Sequence, residues 1–238
     1  MKSLTFAVLV ALVAPPAAAA SAPPTLRKTP NLAKDAGAYP TLVGATPAIA
    51  TINRALRAAN AKQREDMKDC RRDAPQDGYW WEQGVDAPLI GAHFVSFWAH
   101  GNLSCGGVHP NLVGEALVFD LSTGERVDWR KRLPPQLRGE PGQAIASPAL
   151  TALFIDESEK EGVGADCKEA FAEQEMNFAF WPDAKAKGLA MRAVNLLHWA
   201  EGPCSGPVTI PVASLKRLGF DALLIEDIET GGFQVADP

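Results

Sequence analysis

Apolar positions recur along this chain with two different periods, and the two periods follow each other in the same order twice. Ile49, Ile52, Leu56 and Ala59 lie at helical spacing behind Thr46-Pro47, where a capping hydroxyl precedes a proline suited to the first helical turn. A helix is expected from there to near Asp69. Strand-like runs follow at Gly78–Gln83 and Leu89–His100. In the second run His93, Val95 and Phe97 share one face, while Phe94, Ser96, Trp98 and His100 share the other. Both faces are partly apolar, which predicts a central strand covered on both sides. Gly114–Phe119 and Arg126–Trp129 read as two more strands joined by the turn Leu121–Glu125.

Leu133–Pro141, rich in proline and charge, is the strongest break in composition. Beyond it the order repeats. Ser147-Pro148 opens a second helix with Leu150, Leu153 and Phe154 on its buried side, and a helical stretch near Ala165–Glu175 leads into strands at Met176–Trp181 and Gly188–Leu197. Val208–Pro211 reads as a strand ended by its proline, and Val212–Leu218 as a closing helix. Helices segregated from antiparallel strands predict an α+β fold, a sheet of hairpins packed by helices in two similar halves. The expected layout is one domain over residues 37–220, with halves at 37–132 and 143–220. An extended leader at 21–36 precedes it and a C-terminal tail at 221–238 follows.

Four cysteines bracket the two hairpins. Cys70 and Cys105 are equidistant from Ala87/Pro88, and Cys167 and Cys204 from Lys185/Ala186, so each pair is placed to close across the open end of its own hairpin. Four cysteines allow three connectivities; the nested one, Cys70 with Cys204 and Cys105 with Cys167, is also symmetric. The first twenty residues, with Lys2, the apolar run Leu4–Val13 and Ala18–Ala20 before Ser21, have the pattern of a secretory signal peptide. The apolar run is shorter than the ~20 residues a membrane helix needs. A soluble periplasmic or secreted protein without membrane insertion is therefore expected. With the signal removed, 22 basic residues face 28 acidic ones, a balance that argues against nucleic acid as a partner.

Candidate chemistry gathers after the central strand. His93 and His100 are seven residues apart and point to opposite faces, which suits them poorly to a shared metal site. In Cys105–Asn111 paired glycines permit unusual backbone angles and Pro110 fixes the exit, so His109 is held in a defined loop. A Cys105/His109 nucleophile pair competes with disulfide formation, and zinc held by His109 and His198 lacks the usual ligand spacings. There is no nucleophile elbow, phosphate loop or dinucleotide fingerprint. Asp120–Gly124 begins like a calcium loop but reads better as a turn, and the acidic run Asp156–Glu161 as a solvated helix end. No catalytic residue, metal or cofactor is expected. A recognition surface is expected from His109, Asn111, His198, Trp199 and Glu201, on two disulfide-tethered loops brought to one edge if the halves share a sheet.

The chain also resembles a known family in the order of its motifs. These are Tyr39-Pro40, Ile52-Asn53 in a helix, Gly106–Asn111, Phe119-Asp120 with Thr123-Gly124, Gly188-Leu189 and Val208–Pro211. The order, over residues 37–220, is similar to a domain-of-unknown-function family. That family is shared by the lysozyme-sensing domain of RsiV-type anti-sigma factors and the accessory domain of PdaC-type peptidoglycan deacetylases. The resemblance implies an extracytoplasmic α+β module that recognises a lysozyme-like protein or peptidoglycan. Sigma-factor control is not carried over, since this chain shows no membrane helix or cytoplasmic segment, and Val108 departs from the smaller residue of many relatives. The alternative is a small envelope hydrolase acting through His109 and His198.

Overall fold

Two antiparallel sheets packed face to face, each covered on its outer side by helices, form the body of the protein. The computed structural model describes residues 22–74, 78–107, 109–139, 147–162, 165–172, 176–194, 196, 200 and 204–235. Strands β1 (Thr25–Arg27) and β2 (Thr41–Val43) pair beside helix α1 (Pro47–Asp73). Strands β3 (Tyr79–Ile90), β4 (Phe94–Cys105) and β5 (Asn111–Asp120) form a meander, followed by the short helix α2 (Trp129–Arg132). The second half holds α3 (Pro148–Lys160), α4 (Ala165–Ala172), β6 (Phe178–Asp183), β7 (Gly188–Ala193) and β8 (Val208–Pro211). Helices α5 (Val212–Leu218) and α6 (Ala222–Thr230) and strand β9 (Gly232–Gln234) complete it. The first large sheet runs β5-β4-β3-β9 and the second β6-β7-β8.

Both long helices start where a hydroxyl meets a proline: Thr46 accepts from the Ile49 amide and Ser147 from the Leu150 amide. Ile52 and Leu56 of α1 are buried against Val95, Phe97, Leu117 and Phe119 on the outer face of the first sheet. The same helix presents amides where apolar side chains would be usual. Asn60 accepts from the Tyr39 amide at 2.8 Å and donates to the Tyr39 carbonyl at 3.0 Å, and Asn53 does the same for Leu42 at 2.8 and 2.9 Å. Each stands in for a neighbouring strand, satisfying buried backbone that no ladder reaches.

The inner faces meet through Trp98 and Trp181, stacked at 4.0 Å and 9°, with Ala116, Val118 and Ala190 around them. Ser96 donates to the Pro182 carbonyl at 2.9 Å, and the Ala184 amide to the Pro88 carbonyl at 2.9 Å. Alternation along β6 explains the layering, since Trp181 faces the first sheet while Phe178 and Phe180 face α3 and α4, where Phe154 and Phe171 lie. As expected for a central covered strand, β4 is buried on both faces from Phe94 to Ala99.

Several expectations need correction. The two hairpins lie in separate sheets rather than one. The first hairpin turns at Gly91–His93 and not at Ala87/Pro88: between Asp86 and Leu89 the register shifts, and Pro88, which has no amide to donate, sits in that bulge. Leu89 and Ile90 thus belong to β3. Cys70 is in the last turn of α1 and Tyr79 is the residue opposite Cys105, so the first disulfide straps a helix to a strand instead of closing a hairpin mouth. Arg126 makes a single bridge to Phe119, and Asp128 then caps α2, so Arg126–Trp129 is not a strand. Glu157 and Ser158 are buried where a solvated helix end is expected, because the last turn of α3 packs against β8. Residues 221–235 of the expected tail do not trail from the body; α6 packs on both sheets and β9 adds to β3.

Candidate functional site

The end of the molecule carrying the Cys105–Asn111 loop is built by three constraints. Cys70 of α1 is bonded to Cys105, the last residue of β4. Gly106 follows with φ of 87°, a left-handed angle costly for any residue with a β-carbon. Asn111 then starts β5 opposite Leu103. His109 and Asn111 are both exposed on this short return. The second disulfide, Cys167–Cys204, joins α4 to the segment after β7. His198, Trp199 and Glu201 of that segment lie outside the described residues.

Arg192, near the end of β7, brings the two sheets together at this end. Its guanidinium lies 5.6 Å from the Trp98 ring and donates to the Val113 carbonyl at 3.4 Å, two residues into β5 from Asn111. Gly114 makes room for it: a β-carbon there would stand 1.9 Å from Arg192 Nη1. The strand ends that carry both loops are thus at one end of the fold.

Beyond the cover of the second sheet, the inner face of the first sheet opens to solvent. Trp80 is 39% exposed, Glu82 faces Asn102 in register, and His100 Nε2 lies 3.2 Å from Asp86 Oδ2. His93 is in the β3–β4 turn, well away from His100. On the opposite face a buried polar cluster links α1 to the sheet. Tyr39 donates to Glu115 at 3.1 Å, and Gln83 donates to Gln63 and to the Gly37 carbonyl, each at 3.0 Å. Burial, reinforced by the Glu115 carboxylate, pushes the Tyr39 phenol far above its ordinary range.

Asp120 shows the turn chemistry expected of it. Its Oδ1 accepts from the Ser122 amide at 2.9 Å, and its Oδ2 pairs with Arg132 at 2.7 Å. Burial opposes its charge, but the Ser122 hydrogen bonds and the Arg132 guanidinium outweigh that and hold the carboxyl below its usual value. Among the described residues, no group of three His, Cys, Asp or Glu side chains is placed to hold a metal ion. No helix among them is long and apolar enough to cross a membrane.

What the sequence reading missed is charge placement: the line of cations on α1 and the inter-sheet Arg192. The first has a signal in the seven-residue spacing of Arg57, Arg64 and Arg71; the second has none, since it depends on which faces meet. No protein-family profile matches this chain, and no curated protein matches it. Among solved structures, the chain is similar to the crystal structure of a member of the DUF3298 family from Bacteroides fragilis, at 14% identity and a TM-score of 0.42, over 79% of this chain and 75% of that one.

Proposed function

We propose that this protein is an exported binding module of the cell envelope, recognising a lysozyme-like protein or a cell-wall glycan through the loops that carry His109, Asn111, His198, Trp199 and Glu201. The observation that carries the reading is the pair of disulfides, each fastening a helix to the strand or segment that bears one of these loops. Disulfides persist in oxidising compartments, which agrees with the secretory pattern of the first twenty residues. Loops anchored before binding lose little conformational entropy on contact, the physical requirement for a recognition surface. The resemblance in motif order points to the same compartment and ligand classes.

The test is co-sedimentation of the exported protein with purified peptidoglycan sacculi and a direct binding measurement with lysozyme. Binding of either that is weakened in His109→Ala and Trp199→Ala, at unchanged melting temperature, supports the reading. Binding of neither rejects it. Release of soluble fragments from sacculi by the wild type, lost in His109→Ala, would instead make the protein a hydrolase.

A further inference from the structure

Helix α1 carries seven basic and four acidic side chains, a net of +3 in a chain whose net charge is −5. At helical pitch, Arg57, Arg64, Lys68 and Arg71 fall within about 60° of one another and run along about 21 Å of the helix. All four are exposed. Of the acidic side chains, Asp66 pairs with Lys62 at 2.6 Å and Asp69 and Asp73 pair with Arg72 at 2.8 and 3.1 Å, while Glu65 and Asp69 border the side of the helix next to Arg64 and Lys68. Among the described residues no carboxylate forms an ion pair with the four aligned cations.

Arg64, Lys68 and Arg71 border a groove of about 200 Å³ between α1 and the leader, floored by Leu32, Met67 and Tyr79. The Arg71 guanidinium covers the Tyr79 ring at 4.6 Å. Neither wall can drift. Cys70, next to Arg71, is bonded to Cys105, and the leader is tied to β3 by the Gln83 amide donating to the Asp35 carbonyl at 2.9 Å. The groove therefore begins at the same disulfide that anchors the His109 loop.

We propose that this line of cations is a binding track for an anionic glycan, a polysaccharide strand bearing carboxylates or phosphates. Uncompensated positive charge on an otherwise acidic protein is complementary to a polyanion and to no neutral sugar. Steps of four and seven residues space the charges by about 6 and 10 Å, suited to acidic groups on successive or alternate sugars. A flat anionic membrane would meet the net negative charge of the rest of the molecule. Single-stranded nucleic acid needs open aromatic faces for stacking, and the ring in this groove is already covered. The track takes its compartment from the envelope-binding reading above.

The test measures binding of polygalacturonate fragments, dextran fragments of the same length, a single-stranded oligonucleotide and phosphatidylglycerol vesicles to the exported protein and to its Arg64→Ser/Lys68→Ser variant. Polygalacturonate is expected to bind with an affinity that falls as salt rises, and the variant to bind it at least about tenfold more weakly at an unchanged melting temperature. Dextran is expected to bind neither. Equal affinity of wild type and variant for polygalacturonate overturns the proposal, as does tighter binding of dextran, oligonucleotide or vesicles. Sacculi separate the two readings: if the variant binds them as the wild type does, the track is wrong and the envelope module stands. If wild type and variant both ignore sacculi and lysozyme while polygalacturonate binding keeps its charge dependence, the module falls and the track stands.

Discussion

Asp227 is 1% exposed, and its carboxylate accepts from three consecutive backbone amides, Ala92 at 3.0 Å, His93 at 2.8 Å and Phe94 at 2.7 Å. One side chain on α6 thus supplies acceptors to the β3–β4 turn, in which Phe94 is buried and Ala92 and His93 are half-buried. Asp227→Ala should destabilise the protein by about 3 kcal/mol, the cost of orphaning those donors. Asp227→Asn, keeping one acceptor oxygen, should lose less. Urea unfolding of both variants checks the order, and equal losses would contradict the account. Tyr39 gives a second residue-scale expectation. Its phenol titrates far above the ordinary value in the folded state, so above about pH 10 the unfolded chain releases a proton that the folded chain keeps. Stability held below that pH is then lost as pH rises, by up to about 1.4 kcal/mol per unit. In a Tyr79→Phe background, which leaves Tyr39 as the only tyrosine, phenolate absorbance should appear only together with unfolding.

At the scale of elements, α1 and α4 are each held by a disulfide as well as by packing. Each bond closes a loop of about 36 residues, so the chain-entropy model gives about 3 to 4 kcal/mol per bond. Cys70→Ala/Cys105→Ala should therefore lower the melting temperature sharply, read by calorimetry against the oxidised wild type. The edge strand β5 is guarded differently. Arg126 donates to the Ala116 carbonyl at 2.8 Å, so one acceptor on the free edge that could template another strand is occupied. The caps of α1 and α3 were legible from Thr46-Pro47 and Ser147-Pro148 because capping is local. The β3–β4 turn was not, because its chemistry comes from Asp227, more than 130 residues away.

For the whole molecule, Arg132 is the meeting point of distant segments. It pairs with Asp120 at the end of β5 and with Asp221 before α6, and lies 5.1 Å from the Phe94 ring. Because the folded Asp120 carboxyl is held below its unfolded value, the stabilisation is present above about pH 4 and is lost as pH falls through the folded value. Thermal melts of wild type and Arg132→Met should differ at pH 7 and converge in acid; a constant difference would remove Asp120 from the explanation. The charge pattern belongs to the same scale. A chain of net −5 concentrates excess positive charge on one helix, where the disulfide and the leader frame it as a groove.

The sequence by itself determined what depends on near neighbours and on period: helix starts, strand alternation, the doubly covered central strand, the repeated order of elements and the α+β class. It also placed β8 and α5 at their observed bounds, since a proline ends one and a glycine with φ of 80° ends the other. Only the tertiary structure decided that the hairpins form two facing sheets, because both faces of β4 are apolar and alternation alone cannot say what covers each. Tertiary contacts likewise decided the bulge at Pro88, the burial of Glu157 and the incorporation of residues 221–235. In each case the deciding contact comes from a segment remote in sequence, and no local pattern records which remote surface will arrive.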